Sequence, residues 1–204
     1  MLACVRGAAL ATILAVTAVV AEAGPAGARD LSIRITGPTS PPVGYLSFCR
    51  AFPGECTNHG GEAPEPLTAT SWFHLNEVNR VVNAAVTPAT DLDFYKTEEF
   101  WTLPGSHGDC EDYVLLKRKW LVERGWSTSA LLVTVVFDEV GDGHAVLLAR
   151  TDRGDFVLDN KTDEIRAWHE TAYRFVKRQS VRDPNRWVAL GDPRWSMQST
   201  AAPR

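Results

Sequence analysis

The 204-residue chain has only four cysteines and no strong excess of either charge: 21 Lys and Arg stand against 25 Asp and Glu, a formal net charge of −4 at pH 7. Its basic residues are scattered and not interleaved with aromatics, which excludes the electrostatic footprint of a nucleic-acid binder. No histidine or cysteine set has zinc-ligand spacing, no glycine loop could cradle a phosphate, and no serine sits in a nucleophile elbow. No internal repeat is visible. The one long apolar run, Ala8 to Val20, falls short of the ~20 residues that a membrane span needs. What the chain does have is an apolar fraction of 45% and seven tryptophans, enough for the core of one sizeable domain.

Arg6 before the apolar run, with Ala21-Glu22-Ala23 after it, reads as a secretory signal over residues 1–23. Ala26-Gly27-Ala28 is a second candidate cleavage site, and a retained N-terminal anchor is the alternative. The expected location is periplasmic or secreted, with no membrane span once the signal is removed. Cys4 would leave with the signal, so the mature chain would hold Cys49, Cys56 and Cys110. An odd count in an exported protein leaves one thiol over. Cys49 and Cys56 are seven apart across Phe52-Pro53-Gly54, which can turn the chain back, so they are expected to pair. Cys110 remains as the free thiol.

Residues 24–40, rich in Gly, Pro, Ala, Ser and Thr, read as a flexible linker, residues 41–195 as the folded domain, and residues 196–204 as a disordered tail. Trp72, Leu75, Val78, Val81, Val82 and Ala85 recur at helical spacing, with Asn76, Asn79 and Asn83 on the polar side. Asp91 to Trp101 reads as a packed loop or short helix. Val114, Leu115, Leu116, Trp120 and Leu121 mark a second helix that starts at Cys110 and stops at Gly125. Lys117, Arg118, Lys119 and Arg124 load its later turns with positive charge. Beyond Gly125 the period changes to that of sheet: Ala130 to Phe137, His144 to Arg150 and Asp155 to Leu158 are strands, and Thr151 to Gly154 is a hairpin turn. Helices first and antiparallel strands after imply an α+β fold with one sheet.

In Gly108-Asp109-Cys110-Glu111-Asp112-Tyr113, Asp109 is a suitable N-cap and Cys110 falls on the first helical turn. The helix dipole there favours a thiolate. A small buried hydrophobe is the other reading of such a cysteine. If Thr151 faces Gly154 across the hairpin, His144 and Asp159 become diagonal neighbours on one face. A one-residue slip would put them on opposite faces. Cys110 as nucleophile, His144 as base and Asp159 as its orienting partner make up the set that thiol catalysis needs. The Cys110 amide is a candidate oxyanion donor, with Trp72, Asn76 or Trp101 as the candidate side chain.

These stretches resemble the bacterial transglutaminase-like cysteine proteinase family, which includes the LapG-type periplasmic proteases. The resemblance is carried by Pro42-Val43-Gly44-Tyr45 through Phe48-Cys49 to Cys56, by Gly108 to Tyr113, by Gly143-His144-Ala145-Val146-Leu147 and by Leu158-Asp159-Asn160. It implies a papain-like, transglutaminase-like fold and a Cys110, His144, Asp159 triad. It also implies a calcium ion bound by Asp109, Glu111 and Asp112. Its further implications are a protein substrate, such as a large surface adhesin, and an inner-membrane receptor that controls the enzyme. A transglutaminase or amidase using the same thioester chemistry, and a non-catalytic binding protein that keeps the fold, are the alternative readings. Three acids beside a thiol that must ionise are in conflict, because like charge opposes the thiolate. A bound cation would resolve it; so would acids that only cap the helix or face solvent.

Overall fold

A computed structural model describes residues 32–192 and Arg194. The readings made for the signal at 1–23, the first part of the linker and the tail at 196–204 lie outside the described residues. In chain order the elements are strand β1 (Arg34–Thr39), helices α1 (Val43–Ala51) and α2 (Ala69–Ala85), short strand β2 (Thr87–Pro88), helix α3 (Asp91–Phe94), short strand β3 (His107–Gly108) and helix α4 (Cys110–Glu123). Six strands follow: β4 (Leu131–Phe137), β5 (Gly143–Thr151), β6 (Gly154–Leu158), β7 (Arg166–Ala167), β8 (Arg174–Gln179) and β9 (Trp187–Gly191). One antiparallel sheet runs β1-β9-β8-β4-β5-β6-β7, and β2 pairs in parallel with β3. The α+β class expected from the sequence is the class observed.

Alternation along β4 and β5 sorts the core. Leu131, Val133, Ala145, Leu147 and Ala149 join a cluster with Leu75, Val78 and Val82 of α2 and Val114, Leu115 and Leu121 of α4. Leu132, Val136, Val146 and Leu148 join a second cluster with Trp168, Tyr173 and Phe175. Both faces of the central strands are therefore buried, which explains their nearly unbroken apolar runs. Helix α2 begins at a reciprocal cap: Thr68 Oγ1 accepts from Ser71 N (3.1 Å) and Ser71 Oγ accepts from Thr68 N (2.8 Å).

The linker expected over 24–40 is corrected at its end, because residues 34–39 are β1, on the edge of the sheet. The chain does not run helices first and strands after. Gly37 and Pro38 weaken the strand signal, and an edge tolerates them because no second ladder needs the proline's missing N–H. Among the described residues, strand β1 pairs only with β9, and its register shifts between Ile35 and Gly37.

Lys117 and Arg118, two of the charges in the later turns of α4, are buried. Arg118 Nε donates to Leu131 O (3.1 Å) and its Nη1 to Glu55 O (2.8 Å), tying α4 to β4 and to the turn Pro53–Cys56. That turn closes the Cys49–Cys56 disulfide. Cys49→Ser with Cys56→Ser is expected to lower stability by about 2–3 kcal/mol, since only a short loop is released in the unfolded chain. Urea unfolding of the oxidised protein and of the double variant measures this, and equal midpoints would count against it.

Candidate active site

Helix α4 starts where Gly108 brings the chain close to its own first turn. A Cβ at Gly108 would lie 2.7 Å from Asp112 Oδ2, so only glycine fits. Asp109 holds the N-cap position, but its side chain makes no capping hydrogen bond. It turns instead towards Asp91 and Glu111, and one ligand oxygen from each of these three lies within 4.8 Å of the others. Asp109 Oδ1 and Asp91 Oδ1 are buried with no hydrogen-bond partner. Burial, and then the Glu111 charge, push the Asp109 carboxyl up to about 8.

Of the expected metal set Asp109, Glu111 and Asp112, the first two group with Asp91, and Asp112 stands beside them with its Oδ2 buried and unpartnered. Asp112 Oδ1 accepts from the Thr102 backbone N–H (2.9 Å), and burial pushes its carboxyl up to about 8. Asp91 joins Asp109 and Glu111 from α3, eighteen residues before Asp109 in the chain. No spacing rule within the Gly108–Tyr113 motif could have found it. Three hard carboxylates, with buried oxygens lacking partners, fit a hard cation such as calcium. They do not suit a soft metal, which favours thiolate or imidazole.

Cys110 stands on the first turn of α4 and is the free cysteine among the described residues. Its thiol donates to Glu111 Oε2 (3.0 Å). Burial, followed by the charge and hydrogen bond of Glu111, raises the thiol well above its ordinary value, against the Ala145 backbone hydrogen bond that favours the thiolate. The conflict read from the sequence is therefore present in the fold.

The β5–β6 hairpin has the register in which Thr151 faces Gly154, and Leu147 faces Leu158. Continued by one residue, this sets Asp159 opposite Val146 and diagonal to His144. His144 Nε2 and Asp159 Oδ1 are 2.9 Å apart and both side chains are buried. Tyr173, a partner that sequence reasoning missed, donates its hydroxyl to Asp159 Oδ2 and packs edge-on against the His144 ring at 5.6 Å. Lys161 N donates to Asp159 Oδ1 (3.1 Å). Burial pushes the Asp159 carboxyl up, but the bonds from His144, Tyr173 and Lys161 outweigh it and hold the group below its usual range.

Cys110, Glu111, His144 and Ala145 line one cleft of about 270 Å³, together with Trp101, Glu99 and Lys177. Of the three side chains considered as oxyanion donors, Trp101 reaches this cleft, and its Nε1 donates to Glu99 Oε2 (3.1 Å). Trp72 packs against Phe156 and Asn76 donates to Trp72 O, so both are engaged within or beside α2. Gly44 lets the indole close over α1, since a Cβ there would lie 2.3 Å from Trp101 Cδ1.

The family described as bacterial transglutaminase-like cysteine proteinase BTLCP matches residues 35–195. The chain belongs to this family. It is a cysteine proteinase, with the transglutaminase-like fold. The cleft with Cys110 and the His144–Asp159 pair lies wholly inside the matched residues. Among solved structures, Legionella pneumophila LapG is similar at 22% identity and a TM-score of 0.50, over 64% of this chain and 76% of that one. A calcium-bound form of that protein (TM-score 0.49, 22% identity, 59% and 71% covered) and an EGTA-treated form (0.49, 22%, 61% and 73%) also match. No curated protein matches the chain.

Proposed function

We propose that this cysteine proteinase is exported and calcium-dependent, and that it cleaves a protein substrate through Cys110, His144 and Asp159. The carrying observation is the buried His144 Nε2–Asp159 contact at the cleft that also holds Cys110. With Nε2 on the carboxylate, Nδ1 is the ring nitrogen left to take the thiol proton. Sγ attacks the scissile carbonyl carbon, and the tetrahedral adduct collapses to a thioester as His144 gives its proton to the leaving amine. His144 then deprotonates a water that hydrolyses the thioester and frees Cys110. Asp159 keeps the ring oriented and stabilises its charged form.

Asp91, Asp109 and Glu111 would hold the cation. Its positive charge would offset the carboxylates that oppose a thiolate at Cys110. Glu111 belongs to the trio and is also the thiol's hydrogen-bond partner. Engaging its carboxylate elsewhere leaves the thiol proton to His144.

Export to the periplasm is supported by the apolar run after Arg6 and by the Cys49–Cys56 disulfide, which needs an oxidising compartment. A large surface adhesin as substrate and an inner-membrane receptor as regulator are supported by the motif resemblance alone. Hydrolysis rather than acyl transfer is tested by incubating the enzyme with casein and a labelled primary amine. Unlabelled fragments are expected. Incorporation of the amine without fragments would turn the reading to a transglutaminase.

A further inference from the structure

His144 and Asp159 stand beyond the ladder that joins their strands. Pairing of β5 with β6 runs from Thr151–Gly154 to Leu147–Leu158 and ends there. His144 is still fixed by β4, where it lies opposite Val136. Asp159 belongs to no ladder among the described residues and opens the irregular loop that leads to β7. Residues past the end of a ladder open most easily, so side chains must hold this one. From α2, Asn83 Nδ2 donates to Asp159 O (3.0 Å), and Asn79 Nδ2 donates to Thr162 O and Asp163 O (3.1 Å each). These bonds grip the backbone of the loop and leave the aim of the Asp159 carboxylate to other contacts.

A second set of contacts comes through Lys161. Its backbone N–H donates to Asp159 Oδ1 (3.1 Å), the oxygen that also meets His144 Nε2. Its side chain crosses to the turn between β4 and β5, where Nζ donates to Asp138 Oδ2 at 2.6 Å. Asp138 Oδ1 accepts from Val140 N (3.1 Å) and Asp142 N (2.8 Å), and Asp138 N donates to Asp142 O (2.9 Å). The turn is thus wired around Asp138, and it leads through Gly143 into His144. The bond from Lys161 holds the Asp138 carboxyl down to about 2, so it is an anion at neutral pH.

We propose that Lys161 is a positioning residue for the His144–Asp159 pair: its ion pair with Asp138 ties the loop that carries Asp159 to the turn that carries His144, and so sets the approach of the carboxylate to the ring. The strut replaces the strand pairing that stops short of both residues. The Lys161 side chain stands outside the cleft lined by Cys110 and His144, and lines instead a neighbouring cavity of about 320 Å³ with Glu139, Asp159 and Tyr173. It therefore acts through Asp159 and not on the scissile bond.

The proposal rests on the catalytic reading of His144 and Asp159, so its first readout does not need turnover. The proton between His144 Nε2 and Asp159 Oδ1 is expected as a resonance far downfield of the amides, assigned by its loss in Asp159→Asn. In Lys161→Met its exchange with water should quicken by about tenfold or more, as the loop opens more often. In Lys161→Arg, whose guanidinium still reaches Asp138, exchange should stay as in the parent. The second readout is turnover. The kcat of Lys161→Met should fall by about 10–100-fold with KM unchanged, the scale on which a displaced catalytic group is felt. Lys161→Arg should restore it. Asp138→Asn keeps the Oδ1 acceptor and loses the anion, so it should lower kcat as Lys161→Met does. The double variant should cost no more than either single one, because the same contact is lost in all three. Melting temperatures should stay within about 3 °C of the parent's, since a partly exposed ion pair contributes little to stability. Unchanged proton exchange in Lys161→Met, or losses in kcat that add in the double variant, would overturn the proposal. So would a raised KM, which would mean that the lysine binds substrate from the cavity. Faster exchange with undiminished kcat would uphold the strut and overturn the catalytic reading of Asp159.

Discussion

Cys110→Ala is expected to reduce peptide hydrolysis to background while leaving the melting temperature close to that of the parent. The thiol is the attacking atom in the proposed reaction, and no other free cysteine occurs among the described residues. Removing it also removes a group whose ionisation is opposed by burial and by Glu111, so stability should not suffer. Cys110→Ser should be nearly as inactive, because a hydroxyl is a weaker nucleophile at its own pKa. His144→Ala should lower kcat by about 10²–10⁴-fold, the usual scale of a positioned general base. Asp159→Asn should cost less than His144→Ala, since it removes orientation and charge but leaves the imidazole. Tyr173→Phe should cost less again, because His144 and Lys161 still hold Asp159. The check is kcat and KM for a protein substrate, with circular dichroism to show that each variant is folded. Turnover retained in Cys110→Ala would sink the triad, and a Tyr173→Phe loss equal to that of His144→Ala would mean that Tyr173 acts on the substrate directly.

Chelation is expected to have the second largest effect, and its size should depend on pH with a definite sign. In the metal-free protein, the carboxyls of Asp109 and Asp112 are pushed up from 3.8 to about 8, chiefly by burial. Carboxyls raised in this way bind protons more tightly in the folded state than in the unfolded chain. Their contribution to stability is complete below about pH 4 and is lost as pH rises through about 8. The melting temperature of EGTA-treated protein should therefore fall across this range. Calcium should restore it most at the alkaline end, where both groups would otherwise be buried anions. At roughly a hundredfold excess of calcium over its dissociation constant, the gain should be about 5–10 °C. Magnesium should restore little, because it demands a tighter octahedral shell. Asp91→Asn and Asp109→Asn should abolish both the calcium shift and its rescue of activity. Asp112→Asn should weaken the fold through its bond to Thr102 but keep the calcium response. A pH-independent melting temperature in EGTA, or a calcium shift that survives Asp91→Asn, would overturn the acid trio as the site.

Periodicity and turn chemistry made much of the site legible from the chain alone. The start of α4 at Cys110 follows from Gly108-Asp109 and the apolar spacing behind it. The diagonal placement of His144 and Asp159 follows from the Thr151–Gly154 turn once Thr151 faces Gly154, which is the register the fold adopts. The free state of Cys110 follows from the short span between Cys49 and Cys56. These are local constraints, acting over a few residues or one hairpin, and a sequence expresses them directly.

What only the tertiary structure decided are the contacts between elements far apart in the chain. Asp91 joins the acid cluster at the start of α4 because α3 is folded back against it, and no local pattern encodes that approach. Tyr173 completes Asp159 from a loop fourteen residues on, in a stretch that mixes strand and turn signals. Asn79 and Asn83 read only as the polar side of a helix, because polarity alone cannot tell water from the backbone carbonyls of the loop they bind. Residues 34–39 read as linker, because an edge strand needs only one hydrogen-bonded neighbour and can carry glycine and proline. The reason is common to all four. A polar side chain or a weak strand former has no fixed environment until a partner is supplied, and here each partner arrives through the packing of elements far apart in the chain.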